Sequence, residues 1–343
     1  MLGDAIRRLI DGLELSEPEM AACMEEILAG GASPAATAGF LVALRLKGET
    51  AGELAAGARV LRAHAVMIAA PPGAVDTCGT GGDGARTLNV STAAGLVAAA
   101  AGAPVAKHGN RAISGAVGGA DVLEALGVTL ELPAEVLSQC LAELRFAFLF
   151  APAFHPALRE AAAVRRALGI RTVFNLLGPL ANPAGVRRQV VGVSDRRWVE
   201  PFAAVLLRLG TERAWVVHGA GGLDELSLEG ESVVADVEDG HVRMRTVTAA
   251  DAGLAPAPAA ALRVVSLGDA VARVRSVLAG ERGPARDVVC LNAAAALVVA
   301  GAADTLAAGV QLVAAAIDDG RAAALLTRLV RLTSERASAR TGS

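Results

Sequence analysis

The sequence predicts an α/β protein with a small N-terminal all-helical domain and a large α/β domain, whose mainly parallel central sheet is flanked by helices. The first seventy residues show helical patterns without a strand signal, and Pro71-Pro72-Gly73 then forms a linker. After the linker, short apolar runs alternate with helical stretches, which is typical of a parallel sheet with helices on both faces. A length of 343 residues allows two such domains.

The composition narrows the class of protein. Hydrophobic residues make up 53% and charged residues 20% of the chain, which indicates a folded core rather than disorder. A formal net charge of -3 lacks the basic footprint of a duplex-binding protein, and 3% aromatic residues are too few for a single-strand stacking surface. The 38 glycines instead favour loops whose backbone approaches a ligand closely.

Cysteine spacing and hydropathy bear on the cellular compartment. The cysteines are far apart and form no C-x-x-C pair, which predicts reduced, buried thiols rather than disulfides or a zinc site: Cys23, Cys78, Cys140 and Cys290. The longest apolar run, 93–106, is interrupted by Gly102 and Pro104 and is too short to span a bilayer. The N-terminus lacks the apolar segment of a signal peptide. We expect a cytoplasmic protein.

Capping patterns place the helices of the N-terminal domain. Ser16 followed by Glu19 matches a capping box at the start of one helix. Pro34 is suited to the first position of the next helix. Thr50 can cap a further helix that runs to about residue 69.

Short apolar runs are the predicted strands of the sheet: 74–77, 104–106, 128–130, 146–150, 189–193 and 214–217. Residues 223–265, richer in Asp, Glu and Val, are expected to form short strands or a hairpin. The alanine-rich tail from 287 to about 332 is expected to be helical. Ligands of such sheets bind outside the carboxyl ends of the strands, and the motifs that carry chemistry all follow these runs.

The first motif is the glycine-rich segment 76–92, which joins the first predicted strand to a helix that opens near Ser91. Its glycines let backbone N–H groups reach an anion at a helix N-terminus: Gly79, Gly81, Gly82 and Gly84. Several side chains add hydrogen-bond donors: Thr80, Thr87, Asn89, Ser91 and Thr92. Asp83 would repel phosphate, and it is better suited to accept from a sugar hydroxyl or to orient a loop N–H.

Two nucleotide-binding patterns do not fit this loop. The dinucleotide fingerprint needs an acid at the end of the next strand, where this sequence has the cation Lys107. A Walker loop needs Gly-Lys-Ser/Thr after the glycines, and none is present. An ordinary strand–helix turn is the alternative, although the donors and glycines are denser than a turn requires.

The second motif, 107–111, follows the next predicted strand. Lys107 offers a point charge, Arg111 offers a fork for phosphate or carboxylate, and Asn110 can hold a carboxylate or an amine. His108 is either structural or a catalytic base. A second glycine loop at 114–119 leads into a helix, and two such loops with a lysine between them suggest a ligand with more than one phosphate. The alternative is a solvated basic loop.

Two further motifs complete the set. Pro152 and His155 follow a strand and offer an apolar wall with a polar edge, and only one of the arginines at 165–166 is expected to face the site. Asp224 and Glu225 follow a glycine turn and suit Mg²⁺, which binds one or two carboxylates together with phosphate oxygens. Together the motifs imply group transfer between a magnesium-bound, phosphate-rich small molecule and a small anionic partner.

These residues resemble the anthranilate phosphoribosyltransferase family of the tryptophan pathway. The resemblance covers nearly the whole length and rests on ordered motifs: residues 41–50 (LVALRLKGET), 79–83 (GTGGD), 89–92 (NVST), 107–111 (KHGNR), 120–127 (ADVLEALG), 148–152 (FLFAP), 171–183 (RTVFNLLGPLANP) and 222–225 (GLDE). It implies that anthranilate attacks C1 of 5-phosphoribosyl 1-pyrophosphate (PRPP), which gives phosphoribosyl-anthranilate and pyrophosphate. It also implies Mg²⁺ as the cofactor, and we expect two ions.

Carried over residue by residue, the resemblance implies three sets of site residues. PRPP would be held by Gly79, Gly82, Asp83, Thr87, Asn89, Ser91, Thr92 and Lys107. Anthranilate would be held or lined by Gly79, Asn110, Pro152, His155 and Arg165. Magnesium would be bound by Ser91, Asp224 and Glu225. The reaction requires no dedicated strong base, and His108 is the one candidate for that role.

The resemblance also implies the domain organisation and assembly. We expect a helical domain of residues 1–70, joined in space by a helical segment near 156–185, and an α/β PRPP-binding domain of residues 74–343. Hinges would connect the two domains, and the helical domains of two chains would form a homodimer. The expected partners are the small-molecule substrates, with no nucleic acid and no membrane.

Val117 is the main departure from the family pattern, because a hydroxyl residue is usual there and its contact to pyrophosphate or ribose would be missing. Ala116, Leu88 and Gly221 are further departures. Two alternatives therefore stay open: a related phosphoribosyltransferase with another aromatic acceptor, and a catalytically weak nucleic-acid-binding paralogue. A pyrimidine nucleoside phosphorylase ranks below both, since its lysine-serine-glycine pattern is absent at 107–109.

Overall fold

The computed structural model describes residues 1–112 and 117–341. The helices are α1 (Leu2–Ile10), α2 (Glu17–Leu28), α3 (Pro34–Lys47), α4 (Ala51–Ala63), α5 (Val90–Ala100), α6 (Gly119–Ala125), α7 (Ala134–Leu144), α8 (Ala151–Phe154), α9 (Arg159–Leu168), α10 (Val173–Leu177), α11 (Val199–Arg208), α12 (Leu267–Leu278), α13 (Pro284–Ala300), α14 (Leu306–Asp318) and α15 (Arg321–Thr341). The strands are β1 (Val75–Gly79), β2 (Val105–Gly109), β3 (Phe146–Phe150), β4 (Arg188–Gly192), β5 (Arg213–His218), β6 (Ser232–Glu238) and β7 (His241–Val247).

All these strands belong to one sheet with the order β3-β2-β1-β4-β5-β6-β7. Strands β3 to β5 along this order pair in parallel, and β6 and β7 add an antiparallel hairpin at one edge. The mainly parallel sheet that the sequence predicts is confirmed, as is the hairpin within 223–265. Because the parallel strands point the same way, the motif segments that follow β1, β2, β3 and β5 meet at one edge of the sheet.

The predicted strand at 128–130 is wrong. These residues form a loop after α6, in which Val128 and Leu130 are buried. Thr129 donates its N–H to Oγ1 of Thr333 in α15 at 3.2 Å, so the run docks against the C-terminal helix rather than joining the sheet. An apolar run this short has the same pattern whether it pairs in a sheet or fills a gap between helices.

The cap residues of the N-terminal helices lie where the sequence predicts them. Ser16 and Thr50 accept hydrogen bonds from backbone N–H groups three residues on, and they complete capping boxes with Glu19 and Glu53. Pro34 is the first residue of α3. These local signals therefore determine where the helices begin.

Helix α4 is shorter than expected, since it ends at Ala63 and the predicted continuation to residue 69 is wrong. The chain beyond it is extended and bonds to distant segments. Val66 donates its N–H to the Phe154 carbonyl oxygen at 2.9 Å, and Ile68 donates to that of Pro183 at 3.1 Å. Long-range backbone partners thus replace the hydrogen bonds that a longer helix would make.

Helices cover both faces of the sheet. On one face, α5 and α13 pack against each other and against β1. On the other, α11 packs against β5 and β6 and also against α4, while α9 and α10 pack against the N-terminal helices. One apolar core therefore runs from α1–α4 through α9 and α10 to this second face of the sheet. The predicted class, a helical N-terminal domain with an α/β domain, is confirmed.

The structure also bears on the cysteines and on the length of the apolar helices. Every cysteine is buried and has a free thiol, as the spacing predicts. Within residues 1–112 and 117–341, no helix is both long enough and apolar enough to cross a bilayer.

Candidate active site

The glycine-rich loop between β1 and α5 forms the centre of the site. Gly81, Gly82 and Gly84 have positive φ angles, a left-handed conformation that glycine adopts without steric cost. The start of the loop is fixed to β4, because Thr80 donates its N–H to the Gly192 carbonyl oxygen at 2.8 Å. The glycines thus set the path of the loop away from the strand ends.

The loop presents unused backbone donors. The N–H groups of residues 82–84 have no acceptor in the part of the chain that the structure describes. They lie in sequence shortly before the N-terminus of α5, where the helix dipole favours negative charge. Consecutive free N–H groups beside a helix start are suited to a phosphate group.

The segment that carries Asp224 and Glu225 lies directly against this loop. Gly81 donates its N–H to Oδ2 of Asp224 at 2.8 Å, across 143 residues of sequence. A Cβ atom on Gly79 would lie 2.6 Å from the same oxygen, and one on Gly192 would overlap the Asp224 backbone. Glycine at the ends of β1 and β4 is therefore required so that the acidic segment can sit against the strand ends.

Asp224 and Glu225 lie side by side without an ion-pair partner among the described residues. Ser91 donates its N–H to Oε1 of Glu225 at 3.0 Å, which ties the acid to the first turn of α5. Burial raises the pKa of Asp224, and the nearby Asp83 carboxylate raises it further. Burial and the charge of Asp224 likewise raise the pKa of Glu225. The structure thus concentrates negative charge that a bound cation would neutralise.

The donor set fits Mg²⁺. Ser91, Asp224 and Glu225, the predicted metal residues, are brought together and offer only oxygen ligands. Across 1–112 and 117–341, no three His, Cys, Asp or Glu side chains are arranged to hold a metal by themselves. Mg²⁺ needs no such cage, because it keeps several waters and completes its shell with substrate phosphates.

Lys107 lies inside β2 and not at the strand end that the sequence predicts. Its side chain is buried, and its Nζ donates to the Thr77 carbonyl oxygen of β1. The ammonium lowers the pKa values of both Asp76 and Glu225, although burial outweighs this effect in each case. Its charge is therefore within reach of the acidic pair, which suits a lysine that faces a metal-bound phosphate.

A buried polar cluster around Asp76 and Asn182 was not predicted from the sequence. Oδ1 of Asp76 accepts from the His108 N–H at 3.0 Å, and its Oδ2 accepts from Nδ2 of Asn182 at 2.8 Å. Nδ2 of Asn182 also donates to the Ala106 carbonyl oxygen at 2.8 Å. We call this pair the Asp76–Asn182 clamp. It connects β1 and β2, the strand of Lys107, to the segment after α10.

The remaining predicted PRPP residues surround the start of α5. Nδ2 of Asn89 donates to the Val117 carbonyl oxygen at 2.7 Å, while its Oδ1 is buried without a partner among the described residues. Thr92 is buried against Gly119 at the start of α6. Thr87 forms an isolated β-bridge with Arg263. The departure Val117 thus contributes its main chain here; Ser114, Gly115 and Ala116 of the second glycine loop lie outside the described residues.

The remaining predicted acceptor residues lie on the segments after β2 and β3 and on α9. Asn110 and Pro152 are exposed, just after β2 and at the start of α8. Arg165 is half-buried, with its guanidinium 5.1 Å from the centre of the Phe174 ring, and it has no hydrogen bond or ion pair within the described residues. Its neighbour Arg166 is exposed. A partly desolvated arginine without an anion is suited to bind a carboxylate.

His108 and His155 form a buried pair with their ring centres 5.1 Å apart. Nδ1 of His108 donates to the Gly178 carbonyl oxygen at 3.0 Å, and burial, together with His155, lowers the pKa of His108 to about 3. Burial also lowers the pKa of His155. Two neutral imidazoles result, and so weak a base favours a structural role for His108.

Two arginines differ in role from what their sequence positions suggest. Arg111, a candidate phosphate ligand, is instead engaged by Glu124 and Asp121, with nitrogen–oxygen distances of 2.8 and 3.1 Å. Arg171, which the sequence shows only as the first residue of a motif, donates to the carbonyl oxygens of Thr80 and Gly81 in the glycine loop. No local pattern could have indicated either partnership, because the partners are set by packing.

Comparisons with known proteins agree with this architecture. The model of the glycosyl transferase family helical bundle domain matches residues 3–65, and that of the glycosyl transferase family a/b domain matches residues 71–323. The chain is 51% identical over 331 residues to anthranilate phosphoribosyltransferase from Moorella thermoacetica, covering 96% of this chain and 98% of that one. It is 52% identical to the enzyme of that name from a Roseiflexus species, covering 96% and 97%.

Solved structures give the same result. Anthranilate phosphoribosyltransferase from Thermus thermophilus superposes with a TM-score of 0.91 at 46% identity, covering 96% of this chain and 99% of that chain. The enzyme from Saccharomyces cerevisiae in complex with PRPP and Mg superposes with a TM-score of 0.90 at 25% identity, covering 97% and 98%. The glycine loop, the acidic pair and the helical layer of this chain thus occur in an architecture shared over nearly its full length, and the chain belongs to the anthranilate phosphoribosyltransferase family.

Proposed function

We propose that this chain transfers the 5-phosphoribosyl group of PRPP to anthranilate, giving N-(5-phosphoribosyl)anthranilate and pyrophosphate, in tryptophan biosynthesis. The observation that carries the proposal is the row of N–H groups at residues 82–84, which no described residue accepts from, beside Asp224 and Glu225. That combination suits a diphosphate bound with magnesium. Identity of about half the residues with enzymes of this name supports anthranilate as the acceptor.

PRPP binds at the glycine loop and the start of α5. The N–H groups at 82–84 and the ammonium of Lys107 hold its phosphates, and Asp83 accepts from a ribose hydroxyl or orients the loop. The other residues of this set are Gly79, Thr87, Asn89, Ser91 and Thr92. Their placement on one loop and one helix start supports the assignment.

Anthranilate binds on the side formed by the segments after β2 and β3. Arg165, for which the described part of the chain offers no anionic partner, holds the carboxylate, and Asn110 orients the ring substituents. Pro152, His155 and Gly79 line the path of the ring. Positioning of this kind supplies much of the rate enhancement when the nucleophile is a weak aromatic amine.

Magnesium binds to Asp224, Glu225 and Ser91, and we propose two ions. When bound, magnesium neutralises charge on the pyrophosphate leaving group. The complex of the yeast relative with PRPP and Mg supports the identity of the metal. The half-buried carboxylates of Asp224 and Glu225, which have no ion-pair partner among the described residues, support its position.

The reaction forms a bond from the anthranilate nitrogen to C1 of the ribose while the bond from C1 to the pyrophosphate oxygen breaks. Positive charge develops on the ribose ring and negative charge on pyrophosphate. The loop N–H groups and Lys107 stabilise the departing anion. The nitrogen loses one proton to solvent or pyrophosphate, and His108 is too weak a base to accept it, since its pKa is about 3.

The proposal includes the assembly of the protein. Residues 1–70, with a helical segment near 156–185, form one domain, and residues 74–343 form the other. Two chains pair through their helical domains, and exposed apolar side chains on this layer support that pairing: Ile10, Leu13 and Leu46. Light scattering after gel filtration tests the homodimer. A cytoplasmic location stays a prediction.

Loss of anthranilate fluorescence in the presence of PRPP and Mg²⁺ tests the function. We expect consumption that stops when PRPP is omitted or a chelator is added. Glu225→Gln should lose most activity. The matched control is Glu231→Gln, which changes an exposed acid just before β6 and should retain activity. Consumption only of other substituted benzoates would indicate a different aromatic acceptor, and no turnover together with duplex binding would indicate the nucleic-acid-binding alternative.

A further inference from the structure

Arg171 is the only charged side chain in the described ranges that bonds to the main-chain carbonyls of the glycine loop. Its Nη1 donates to the Gly81 carbonyl oxygen at 2.7 Å and its Nη2 to that of Thr80 at 3.1 Å. We propose that Arg171 is a positioning residue, which holds this loop in the conformation that leaves the N–H groups at 82–84 free for PRPP. The inference rests on the proposed function.

The peptide groups that flank Gly81 are held from opposite sides. Its N–H donates to Asp224 at 2.8 Å, while its carbonyl oxygen accepts from Arg171. Both groups are thereby occupied, and the loop cannot rotate at this residue without breaking a charge-assisted hydrogen bond. The free donors begin directly after this fixed point, at Gly82.

The guanidinium also packs closely on the loop. A Cβ atom on Gly82 would overlap Nη1 of Arg171, and Gly82 has a φ of +77°. The position therefore needs glycine both for its backbone conformation and for the space that Arg171 occupies. A planar fork with several donors can bind two carbonyl oxygens at once, which the single ammonium of a lysine does less well.

The position of Arg171 in the chain gives its contact with the glycine loop a second consequence. Arg171 lies between α9, which carries Arg165 and packs against α2 and α3, and α10, which packs against α4. The loop is thus anchored on one side to the sheet, through Gly192, and on the other to the helical layer. Through Arg171, the segment that carries Arg165 therefore supports the glycine loop that binds PRPP.

Steady-state kinetics of Arg171→Gln and Arg171→Lys test the inference. For R171Q we expect the KM for PRPP to rise about 10- to 100-fold, the size expected for lost charge-assisted hydrogen bonds. The KM for anthranilate and kcat should change by less than ~3-fold. R171K should lie between wild type and R171Q. The control Arg166→Gln, an exposed arginine of the same segment, should match wild type.

The outcomes separate the two proposals. An unchanged KM for PRPP in R171Q, or equal rises in both KM values with a lowered Tm, would overturn the role of Arg171. If wild type shows no turnover, the proposed function fails, and calorimetric binding of PRPP to wild type and R171Q then tests Arg171 alone. If R171Q does not fold, R171K decides by the same comparison.

Discussion

Removal of the Asn182 side chain should lower the free energy of unfolding, because it breaks hydrogen bonds to β1 and to β2, the strand that carries Lys107. The side chain is 2% exposed, and Asn182→Ala leaves Oδ2 of Asp76 and the Ala106 carbonyl oxygen without their donor. A buried polar group that loses its partner costs about 1–3 kcal/mol, and a charged one costs more. We therefore expect the free energy of unfolding to fall by about 3–5 kcal/mol, a large part of the usual total.

The pH dependence of this loss is a sharper test than its size. Burial raises the pKa of Asp76 to about 6, so the folded chain holds a proton that the unfolded chain releases near pH 4. Stability contributed by the protonated acid is therefore lost as pH rises toward 6. The bond from Asn182 lowers this pKa, and its removal raises the pKa further. The variant should thus be more destabilised at about pH 8 than at about pH 5.

Urea unfolding can be followed by the combined fluorescence of Trp198 and Trp215, of which Trp215 is 1% exposed on β5 and reports on the sheet. The double variant Asp76→Ala/Asn182→Ala serves as the control, because it removes the acid that Asn182 supports. Its loss should be smaller than the sum of the two single losses. A loss below ~1 kcal/mol, or an equal loss at both pH values, would refute the reasoning.

Three further substitutions test the assigned substrate residues. Lys107→Ala should raise the KM for PRPP by at least ~10-fold, because it removes the buried ammonium beside the acidic pair; unchanged kinetics in PRPP would remove Lys107 from the site. Arg165→Ala should raise the KM for anthranilate by ~10-fold or more and that for PRPP much less, with Arg166→Ala as the control; equal effects on both substrates would contradict its role. Val117→Ser should lower the KM for PRPP by a few-fold, on the order of one hydrogen bond, if the missing hydroxyl matters; no gain would mean that the loop binds through its backbone alone.

Interactions between near neighbours in sequence account for what could be predicted. Ser16 and Thr50 cap helices because their hydroxyls reach N–H groups three residues on, wherever the helix lies in the fold. Gly81 and Gly82 indicate a left-handed loop because only glycine adopts it freely. Alternating short apolar runs indicate a parallel sheet with its site at one edge. Those patterns, with the family resemblance, predicted the fold class, which is confirmed, and the candidate site residues, which stay a prediction.

Only the tertiary structure decided which charges meet. Arg111 and Arg171 both belong to motifs of the candidate site, yet Asp121 and Glu124 bind the first, and the second binds glycine-loop carbonyls. Likewise, the run at 128–130 is as apolar as a strand, but it docks on α15.

The chain alone thus determined where helices begin, where glycine allows a ligand to approach, and which chemistry the residues can support. Packing decided that Asp224 reaches Gly81 across 143 residues and that Asn182 reaches Asp76 across 106. The physical reason is range: caps and φ angles depend on atoms a few residues apart. The partner of a buried charge depends instead on the relative placement of whole strands and helices, which no local pattern encodes.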